Sequence, residues 1–345
     1  MSVVTSLSPV VSFRAALAAG VGHVLGQMHS MIGLQRGRQT TLRRGATVSG
    51  IGVHSGREVS VTLHPAEADT GVTFFRAGSD GRDCSIPARV GHVKATDLCT
   101  AVGVPGATVA TVEHLMAAFA ALGIDNAGVE IDGPEVPIMD GSADAFIEAV
   151  DRAGVERLDA PLRYLKVTRP VRVEDGESWA EFTPYNGRRI EVEIDFTNPL
   201  IGRQHFAVDL DRDGVRHEVG RARTFGFLCD VEKLWARGFA LGASLDNAVV
   251  IGDDRVINPE GLRYADEFVR HKVLDAIGDL ALSGPPILGR YRSYRGGHRL
   301  NIMALQALIA REDAWKMVEA PSRREVAHAD LPAVAAAVAY AADAS

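Results

Sequence analysis

Histidine and carboxylate side chains recur at helical spacing in one segment of this 345-residue chain. The segment FVRHKVLDAIGD spans residues 268–279, and in a helix its His271 and Asp275 would lie one turn apart on the same face. Such a pair can bind one divalent metal ion, or it can be an ordinary hydrogen-bonded pair on a helix surface. Asp279 lies a further turn along that face, beside an apolar stripe, and a buried carboxylate there needs a partner. This third polar group favours the metal site.

A second pair, Glu113 and His114, lies in the segment TVEHL at 111–115. In a helix that buries Leu115, these adjacent side chains cannot both face solvent. We expect His114 to be a third metal ligand, with Glu113 beside the open position of the metal. Catalytic zinc usually has three protein ligands and one water molecule, and a neighbouring glutamate can take a proton from that water. Taken alone, the pair is also typical of an ordinary helix N-terminus.

A third candidate is His298 in the segment RGGH at 295–298, where two glycines allow close backbone approach. This histidine could act as a proton donor, with Asp279 orienting the imidazole and raising its pKa. The alternative is a solvated histidine in a loop.

The elements that would carry these residues occur in the same order twice, strands followed by helices. In the first half, the patterns predict strands at 59–63, 71–75 and 127–131 and helices at 111–122 and 143–153. After a linker predicted at 159–162, they predict strands at 164–173, 179–182, 190–196 and 247–251 and helices at 230–237 and 266–282. This order favours an α+β fold over a wound parallel sheet.

We therefore predict an α+β fold of two similar domains, at 39–160 and 161–311. Residues 312–345 are expected to form a loosely packed C-terminal tail. Residues 1–38 contain no acidic side chain and are interpreted as a disordered or mis-annotated extension. A transit or weak signal segment and an interfacial helix are the alternatives for this extension.

Composition argues against several classes of protein. A net charge of −7 disfavours nucleic-acid binding, which requires a basic surface. Three widely spaced cysteines without a CxxC pair give neither a disulfide framework nor a thiolate zinc site. No apolar run approaches the ~20 residues that span a bilayer. We expect a monomeric, cytoplasmic protein without an integral membrane span.

Several separated motifs together resemble one family, the UDP-3-O-acyl-N-acetylglucosamine deacetylases (LpxC) of lipid A biosynthesis. The matching segments are GVHSG at 52–56, TVEHL at 111–115, PIMDGS at 137–142, ARTFGF at 222–227, residues 268–279 and GH at 297–298. They cover residues 39–311 in the order found in the family. The resemblance implies two α+β domains, each a sheet packed on helices, that sandwich the active site between their helical layers.

The resemblance also implies a zinc-dependent amidohydrolase with one catalytic Zn²⁺ ion. Its metal ligands would be His114, His271 and Asp275, and Glu113 would be the general base on the zinc-bound water. The implied reaction is hydrolysis of the N-acetyl group of UDP-3-O-acyl-N-acetylglucosamine, which gives UDP-3-O-acyl-glucosamine and acetate in the committed step of lipid A biosynthesis. The implied partner is thus a nucleotide-sugar lipid precursor.

Further roles follow from the same match. His298, paired with Asp279, would be a cation that stabilises the oxyanion or protonates the leaving amine. Thr224 would donate a hydrogen bond to the tetrahedral oxygen, and Lys272 would reach toward the sugar or phosphate. The implied substrate contacts are Phe225 on the sugar, Asp195 and Phe196 on the uracil, and Arg295 on the pyrophosphate side.

The acyl chain would occupy an apolar passage at an insert, residues 238–244. Two positions depart from the family pattern, since Ser178 stands where many members have lysine and Ala240 replaces a bulkier residue. Two other functions stay open, a catalytically silent binding module on the same scaffold and a metal-dependent hydrolase of a different N-acyl substrate. The complete set of ligands and base argues against the first, and Asp195 with Phe196 argues against the second.

Overall fold

The computed structural model describes residues 37–320 with the exception of residues 80 and 211. What the sequence predicts for residues 1–36 and 321–345 lies outside these described residues. The elements of the first half are β1 (Arg38–Leu42), β2 (Ala46–Ile51), β3 (Glu58–Pro65), β4 (Val72–Ala77), β5 (Asp83–Pro87), a 3₁₀ turn (Val90–His92), β6 (Val93–Ala95), β7 (Ala101–Val104), β8 (Ala107–Val109), α1 (Glu113–Leu122), β9 (Ala127–Ile131), α2 (Asp144–Ala153) and β10 (Val155–Pro161).

Five of these strands form the first sheet, in the order β2-β3-β9-β4-β5. Neighbouring strands are antiparallel except for the parallel pair β4 and β9. Strand β3 illustrates the pattern, because Val59, Val61 and Leu63 are buried while the residues between them are partly exposed. Such alternation buries one face of a sheet. Helix α2 packs against β2 of this sheet.

A second sheet of seven strands organises the rest of the described chain. The elements of this half are β11 (Arg163–Val167), β12 (Val171–Asp175), β13 (Ser178–Thr183), β14 (Arg188–Asp195), β15 (Arg203–Asp209), α3 (Arg212–Glu218), β16 (Phe225–Phe227), a 3₁₀ turn (Leu228–Asp230), α4 (Val231–Ala236), β17 (Val249–Ile251), α5 (Glu267–Ala281), β18 (Ile287–Tyr294), α6 (His298–Ala310), a 3₁₀ turn (Glu312–Ala314) and β19 (Trp315–Glu319). The central strand of the sheet, β18, is antiparallel to β13 and parallel to both β11 and β14.

Helices separate the two large sheets. Helix α1 packs along α5, α2 packs on α1 and β2, and α6 packs on α5 and on strands β12 and β13. The α+β fold class predicted from the sequence is therefore confirmed. Within the described residues, no helix has the length and apolar character needed to cross a membrane.

Two local features fix where α1 begins and ends relative to α5. Gly123 ends α1 in the left-handed conformation, at φ 71°, which suits glycine because it has no Cβ atom. Gly278, on α5, faces the start of α1, and a Cβ atom there would lie 1.9 Å from the backbone oxygen of Glu113. The absence of a side chain at 278 thus lets the two helices approach closely.

Three predictions about individual segments were wrong. The linker predicted at 159–162 lies mostly in β10, which pairs with β1 and shows little apolar alternation to reveal it. The strand predicted at 164–173 is interrupted between β11 and β12 near Pro170, which cannot donate to a sheet. Residues 315–319 of the predicted tail form β19, which is antiparallel to β11. The domain boundaries themselves stay predictions.

Candidate metal centre and catalytic site

Helices α1 and α5 bring the three predicted metal ligands together. His114, in the first turn of α1, and His271 and Asp275, on α5, each offer one ligand atom, and these atoms lie within 4.8 Å of one another. Oδ1 of Asp275 is 3.3 Å from Nε2 of His271 and 3.6 Å from Nε2 of His114. The two imidazole rings are nearly perpendicular, with centroids 5.1 Å apart. Three such ligand atoms lie close enough together to bind one metal ion, and three protein ligands are usual for catalytic zinc.

The hydrogen bonds around these side chains fit a divalent cation. Oδ1 of Asp275 is buried and has no hydrogen-bond partner among the described residues. Nδ1 of His271 donates to the backbone oxygen of Ala222 at 3.0 Å, which leaves the lone pair on Nε2. A buried anionic oxygen without a donor is costly unless a cation compensates it. The residues present thus fit a metal ion.

Burial and neighbouring charge set the protonation of two of the predicted ligands. Burial lowers the pKa of His271 to about 3, so this imidazole is neutral and able to bind a metal. Burial would raise the pKa of the Asp275 carboxyl, but neighbouring positive charge, including that of the Lys272 ammonium, holds this pKa well below its usual range. Nζ of Lys272 lies 2.7 Å from Oδ2 of Asp275. Lys272 therefore binds a ligand carboxylate, a contact that the sequence did not predict.

Glu113 lies inside the protein beside the ligand His114. The backbone N–H of Thr100 donates to Oε2 of Glu113 at 3.0 Å. The other oxygen, Oε1, is 3.7 Å from Nε2 of His298, which is longer than a hydrogen bond. Burial raises the pKa of Glu113, although the nearby His298 and His114 oppose this effect. A carboxylate with one oxygen held and a raised pKa is suited to accept a proton.

His298 is the first residue of α6, and it is buried rather than solvated. Its Nδ1 donates to Oδ2 of Asp279 at 2.9 Å. Burial alone would lower the pKa of His298, but the carboxylates of Asp279 and Glu113 raise it to about 9. The imidazole is therefore a cation at neutral pH. Since Nδ1 is bound to Asp279, Nε2 is the donor that faces Glu113.

The segment ARTFGF forms a wall beside these groups. The Phe225 ring lies 6.3 Å from the His271 ring, and Nζ of Lys272 lies 5.4 Å from the Phe225 centroid. The preceding Thr224 is fixed by its backbone N–H, which donates to the oxygen of Gly141 at 2.8 Å. The structure therefore places Phe225 and Lys272 together next to the predicted ligand His271.

Two of the predicted nucleotide contacts lie at the end of β14, where Asp195 is the last residue of the strand and Phe196 is the next residue. The hydroxyl of Tyr294 donates to Oδ2 of Asp195 at 2.8 Å. The Phe196 ring is 5.8 Å from the Phe225 ring, so the two aromatics form one surface. Asp195 thus lies at the edge of this aromatic surface rather than among the metal ligands.

Arg295 lies at the end of β18, in a left-handed backbone conformation with φ 51°. Its guanidinium donates to the exposed carboxylate of Glu177 at 2.7 Å. The antiparallel register pairs Trp179 with Tyr294, so Ser178 and Arg295 are neighbours across β13 and β18. Arg295 therefore supplies a cation near Ser178.

The insert at 238–244 packs against the loop that carries the motif GVHSG at 52–56. The backbone N–H of Leu241 donates to the oxygen of His54 at 3.2 Å. The rings of His54 and Phe239 meet edge to face, with centroids 5.2 Å apart. Leu241 itself is 53 % exposed. The motif thus has a structural role in anchoring the insert.

Sequence reasoning missed Glu135, a buried carboxylate next to the motif PIMDGS. It accepts hydrogen bonds from the backbone N–H groups of His54 and Ser55, at 3.0 and 2.9 Å, and from the hydroxyl of Thr111, at 2.9 Å. Thr111 has φ 56°, an unfavourable conformation for a β-branched residue, two positions before Glu113. Glu135 therefore holds both the loop at 52–56 and the strained entry to α1.

Sequence reasoning also missed the pair of Arg223 and Glu267, whose side chains are 2 % and 0 % exposed. Nε of Arg223 donates to Oε1 of Glu267 at 2.9 Å, and the backbone N–H of Arg223 donates to the same oxygen at 3.0 Å. Arg223 lies between Ala222 and Thr224, and Glu267 begins α5. The pair therefore fixes the wall segment to the helix that carries two of the predicted metal ligands. An acidic residue in a first helical turn was the available signal.

Comparison with known proteins gives a consistent result. The family model described as UDP-3-O-acyl N-acetylglycosamine deacetylase (LpxC) matches residues 39–310. Relatives from Brucella ovis and Brucella suis biovar 1, both named UDP-3-O-acyl-N-acetylglucosamine deacetylase, are 58 % identical over 284 residues, which covers 82 % of this chain and 99 % of each relative. The relative of the same name from Brucella melitensis biotype 2 is 57 % identical over the same length. The matched region includes all predicted site residues.

Proposed function

The chain belongs to the UDP-3-O-acyl N-acetylglycosamine deacetylase family, and we propose that it hydrolyses the N-acetyl group of UDP-3-O-acyl-N-acetylglucosamine in lipid A biosynthesis. The products are UDP-3-O-acyl-glucosamine and acetate. The observation that carries this proposal is the approach of three ligand atoms to within 4.8 Å of one another, beside the buried carboxylate of Glu113. The names of the relatives support the choice of substrate.

We infer that His114, His271 and Asp275 hold one zinc ion, because two imidazoles and one carboxylate are a common catalytic zinc set. When bound, zinc supplies a Lewis acid and lowers the pKa of a water molecule to about 7. The neutral His271 and the unpaired Oδ1 of Asp275 support this ligand set. Lys272 occupies Oδ2 of Asp275, which leaves Oδ1 as the ligand oxygen.

Glu113 and His298 divide the proton transfers between them. Because Thr100 holds Oε2 of Glu113, the proton of the attacking water goes to Oε1. His298 enters the reaction as a cation, with Nδ1 held by Asp279 and Nε2 facing the same oxygen of Glu113. It stabilises negative charge on the acyl oxygen or gives its Nε2 proton to the departing amine. Amide hydrolysis requires a base that is deprotonated and an acid that is protonated before the reaction begins.

The surrounding residues are assigned to the rest of the substrate. The Thr224 hydroxyl donates to the tetrahedral oxygen, and Lys272 lies within reach of the sugar. The remaining assignments are Phe225 to the sugar face, Asp195 and Phe196 to the uracil, Arg295 to the pyrophosphate and the insert at 238–244 to the acyl chain. The shared aromatic surface of Phe196 and Phe225 supports the assignments of these two residues. A cytoplasmic location and a monomeric state stay predictions.

Removal of the metal tests the proposal directly. Acetate release from UDP-3-O-acyl-N-acetylglucosamine is measured for the purified chain before and after chelation. We expect chelation to abolish release and zinc to restore it, and metal analysis to find one zinc ion per chain. Full activity after complete removal of the metal would contradict the proposed site.

Substitution of the base separates catalysis from metal binding. Glu113→Ala is expected to retain zinc and to lose roughly 10²- to 10⁴-fold in kcat, the usual contribution of a general base. Glu130→Ala, at a side chain that is 69 % exposed, is the control and should behave as the wild type. If Glu113→Ala instead lost its zinc, Glu113 would be a ligand and the assignment as base would be wrong.

A further inference from the structure

One buried threonine, Thr100, contacts both acid–base groups of the site. Its backbone N–H donates to Oε2 of Glu113 at 3.0 Å, and its hydroxyl donates to Oδ1 of Asp279 at 2.6 Å. Its backbone oxygen also accepts the N–H of Val112 at 3.2 Å, so the residue before β7 holds the entry to α1 at two points. Thr100 has no solvent exposure. Bulk water therefore does not compete for these hydrogen bonds.

The hydroxyl of Thr100 is one of three donors to Asp279. The other carboxylate oxygen, Oδ2, accepts from Nδ1 of His298 at 2.9 Å and from Nδ2 of Asn301 at 2.8 Å. Oδ1 of Asn301 in turn accepts from the hydroxyl of Tyr291 at 2.7 Å. A buried chain of hydrogen bonds thus runs from β18 through α6 and α5 to Thr100, the residue before β7. Thr100 is its last member and the one that joins it to the general base.

We propose that Thr100 is a positioning residue for the acid–base pair, with its hydroxyl orienting Asp279, and through it His298, while its backbone N–H orients Glu113. This inference rests on the proposed function, since it concerns the same acid and base. If Oδ1 had no donor, the carboxylate of Asp279 could turn about its terminal bond, and His298 would move with it. Displacement of a reacting group by about 1 Å can lower the rate by roughly 100-fold.

An isosteric variant separates this hydrogen bond from simple packing. Thr100→Val keeps the shape of the side chain and the backbone N–H to Glu113, but it removes the bond to Asp279. We expect the zinc-loaded variant to lose roughly 10- to 100-fold in kcat, with KM and zinc content unchanged. Thr100→Ser keeps the hydroxyl and is expected to recover most of the wild-type kcat. Thr108→Val, the same change at an exposed position of β8, is the matched control and should leave kcat unchanged.

A wild-type kcat in Thr100→Val would overturn the proposal. If this variant does not fold, Thr100→Ala removes the same hydroxyl without adding bulk, and a wild-type kcat there has the same consequence. Loss of kcat in Thr100→Ser equal to that in Thr100→Val would also overturn it, because the effect would then come from packing.

A double-mutant cycle tests whether Thr100 acts through His298. In a His298→Gln background, Thr100→Val is expected to lower kcat by a much smaller factor than in the wild type, because the imidazole that Thr100 orients is already absent. If Thr100→Val lowered kcat by the same factor in both backgrounds, Thr100 and His298 would act independently, which would contradict the proposal.

A spectroscopic measurement separates this inference from the proposed function. In the zinc-loaded wild type, the proton on Nδ1 of His298 should give a slowly exchanging downfield NMR signal, since it is buried and bound to Asp279. We expect the signal to be lost in Thr100→Val and kept in Thr100→Ser. If the signal behaved in this way but the wild type released no acetate, the deacetylase proposal would be rejected while the positioning role of Thr100 would be supported. An unchanged signal in Thr100→Val would reject that role.

Discussion

Two buried carboxylates of this site are assigned different roles because their oxygen atoms have different hydrogen-bond partners. Glu113 and Asp279 are both buried carboxylates that face His298. Asp279 has donors on both oxygens, so it is an anchor for the imidazole. Glu113 has one oxygen bound to a backbone N–H and the other 3.7 Å from His298. The pattern of partners, rather than the residue type, identifies Glu113 as the carboxylate that is able to take a proton.

The pH dependence of the reaction tests the role of Asp279. Burial alone would lower the pKa of His298, but the negative charge of Asp279 helps to raise this pKa to about 9. In Asp279→Asn the charge is lost, so His298 loses its proton at a lower pH. Because the reaction needs the protonated imidazole, we expect the alkaline limb of the kcat/KM profile to move toward neutral pH. Activity should fall more at pH 8 than at pH 6.

The control for this measurement is Asp159→Asn. The Asp159 side chain is 97 % exposed and pairs only with the surface residue Arg38 among the described contacts. Its substitution should leave the profile unchanged. An alkaline limb that stays in place in Asp279→Asn would mean that the limb reports another group.

At the scale of elements, the contact between α1 and α5 determines the geometry of the site. His114 and Glu113 lie in the first turn of α1, and the other two ligands lie on α5. Any sliding of one helix along the other would separate the ligands. Gly278 sets the distance of closest approach, because a Cβ atom at this position would meet three backbone atoms of Glu113 at 1.9 to 2.8 Å.

Gly278→Ala therefore tests whether helix packing controls metal binding. Intrinsic helix propensity favours alanine over glycine by ~1 kcal/mol, but overpacking typically destabilises a protein by about 1–3 kcal/mol. Since the clash is with backbone rather than with a flexible side chain, we expect the second effect to dominate. The variant should unfold at lower temperature and bind zinc more weakly, as measured by calorimetry and zinc titration.

Gly91→Ala is the matched control, because a Cβ atom at that position would have no neighbour within 4 Å. It should match the wild type in zinc affinity. Wild-type zinc affinity in Gly278→Ala would show that the ligands tolerate a shift of α1.

Helices and ligands were predictable where the signal is local in sequence. The spacing of His271 and Asp275 and the apolar periodicity of α5 identified one half of the site. Thr100 and Glu135 carry no such signal, because Asp279 and His54, their partners, are distant in sequence. The same reason explains β10 and β19, whose order comes from pairing with β1 and β11 rather than from an apolar pattern of their own.

At the scale of the molecule, the site joins two halves that are built on separate sheets. Helix α1 belongs to the half that contains the five-stranded sheet, whereas α5 packs on β14 and β15 of the seven-stranded sheet. The apolar core is continuous across both halves, so folding does not depend on the metal alone. A bound ion would link α1 to α5 at Oδ1 of Asp275, which accepts no hydrogen bond from the described residues.

This arrangement predicts that zinc stabilises both halves of the fold against unfolding. A ligand that binds only the folded state, at a free concentration of 100 times Kd, contributes about 2.7 kcal/mol, and such an increment raises the Tm of a domain of this size by several degrees. In the wild type, Tm measured by calorimetry should rise with free zinc. His114→Ala removes the ligand on α1 and should abolish the dependence, whereas His64→Ala, at an imidazole that is 45 % exposed, should preserve it. Equal zinc dependence in His114→Ala and the wild type would place the stabilising ion elsewhere and would refute the link between the two helices.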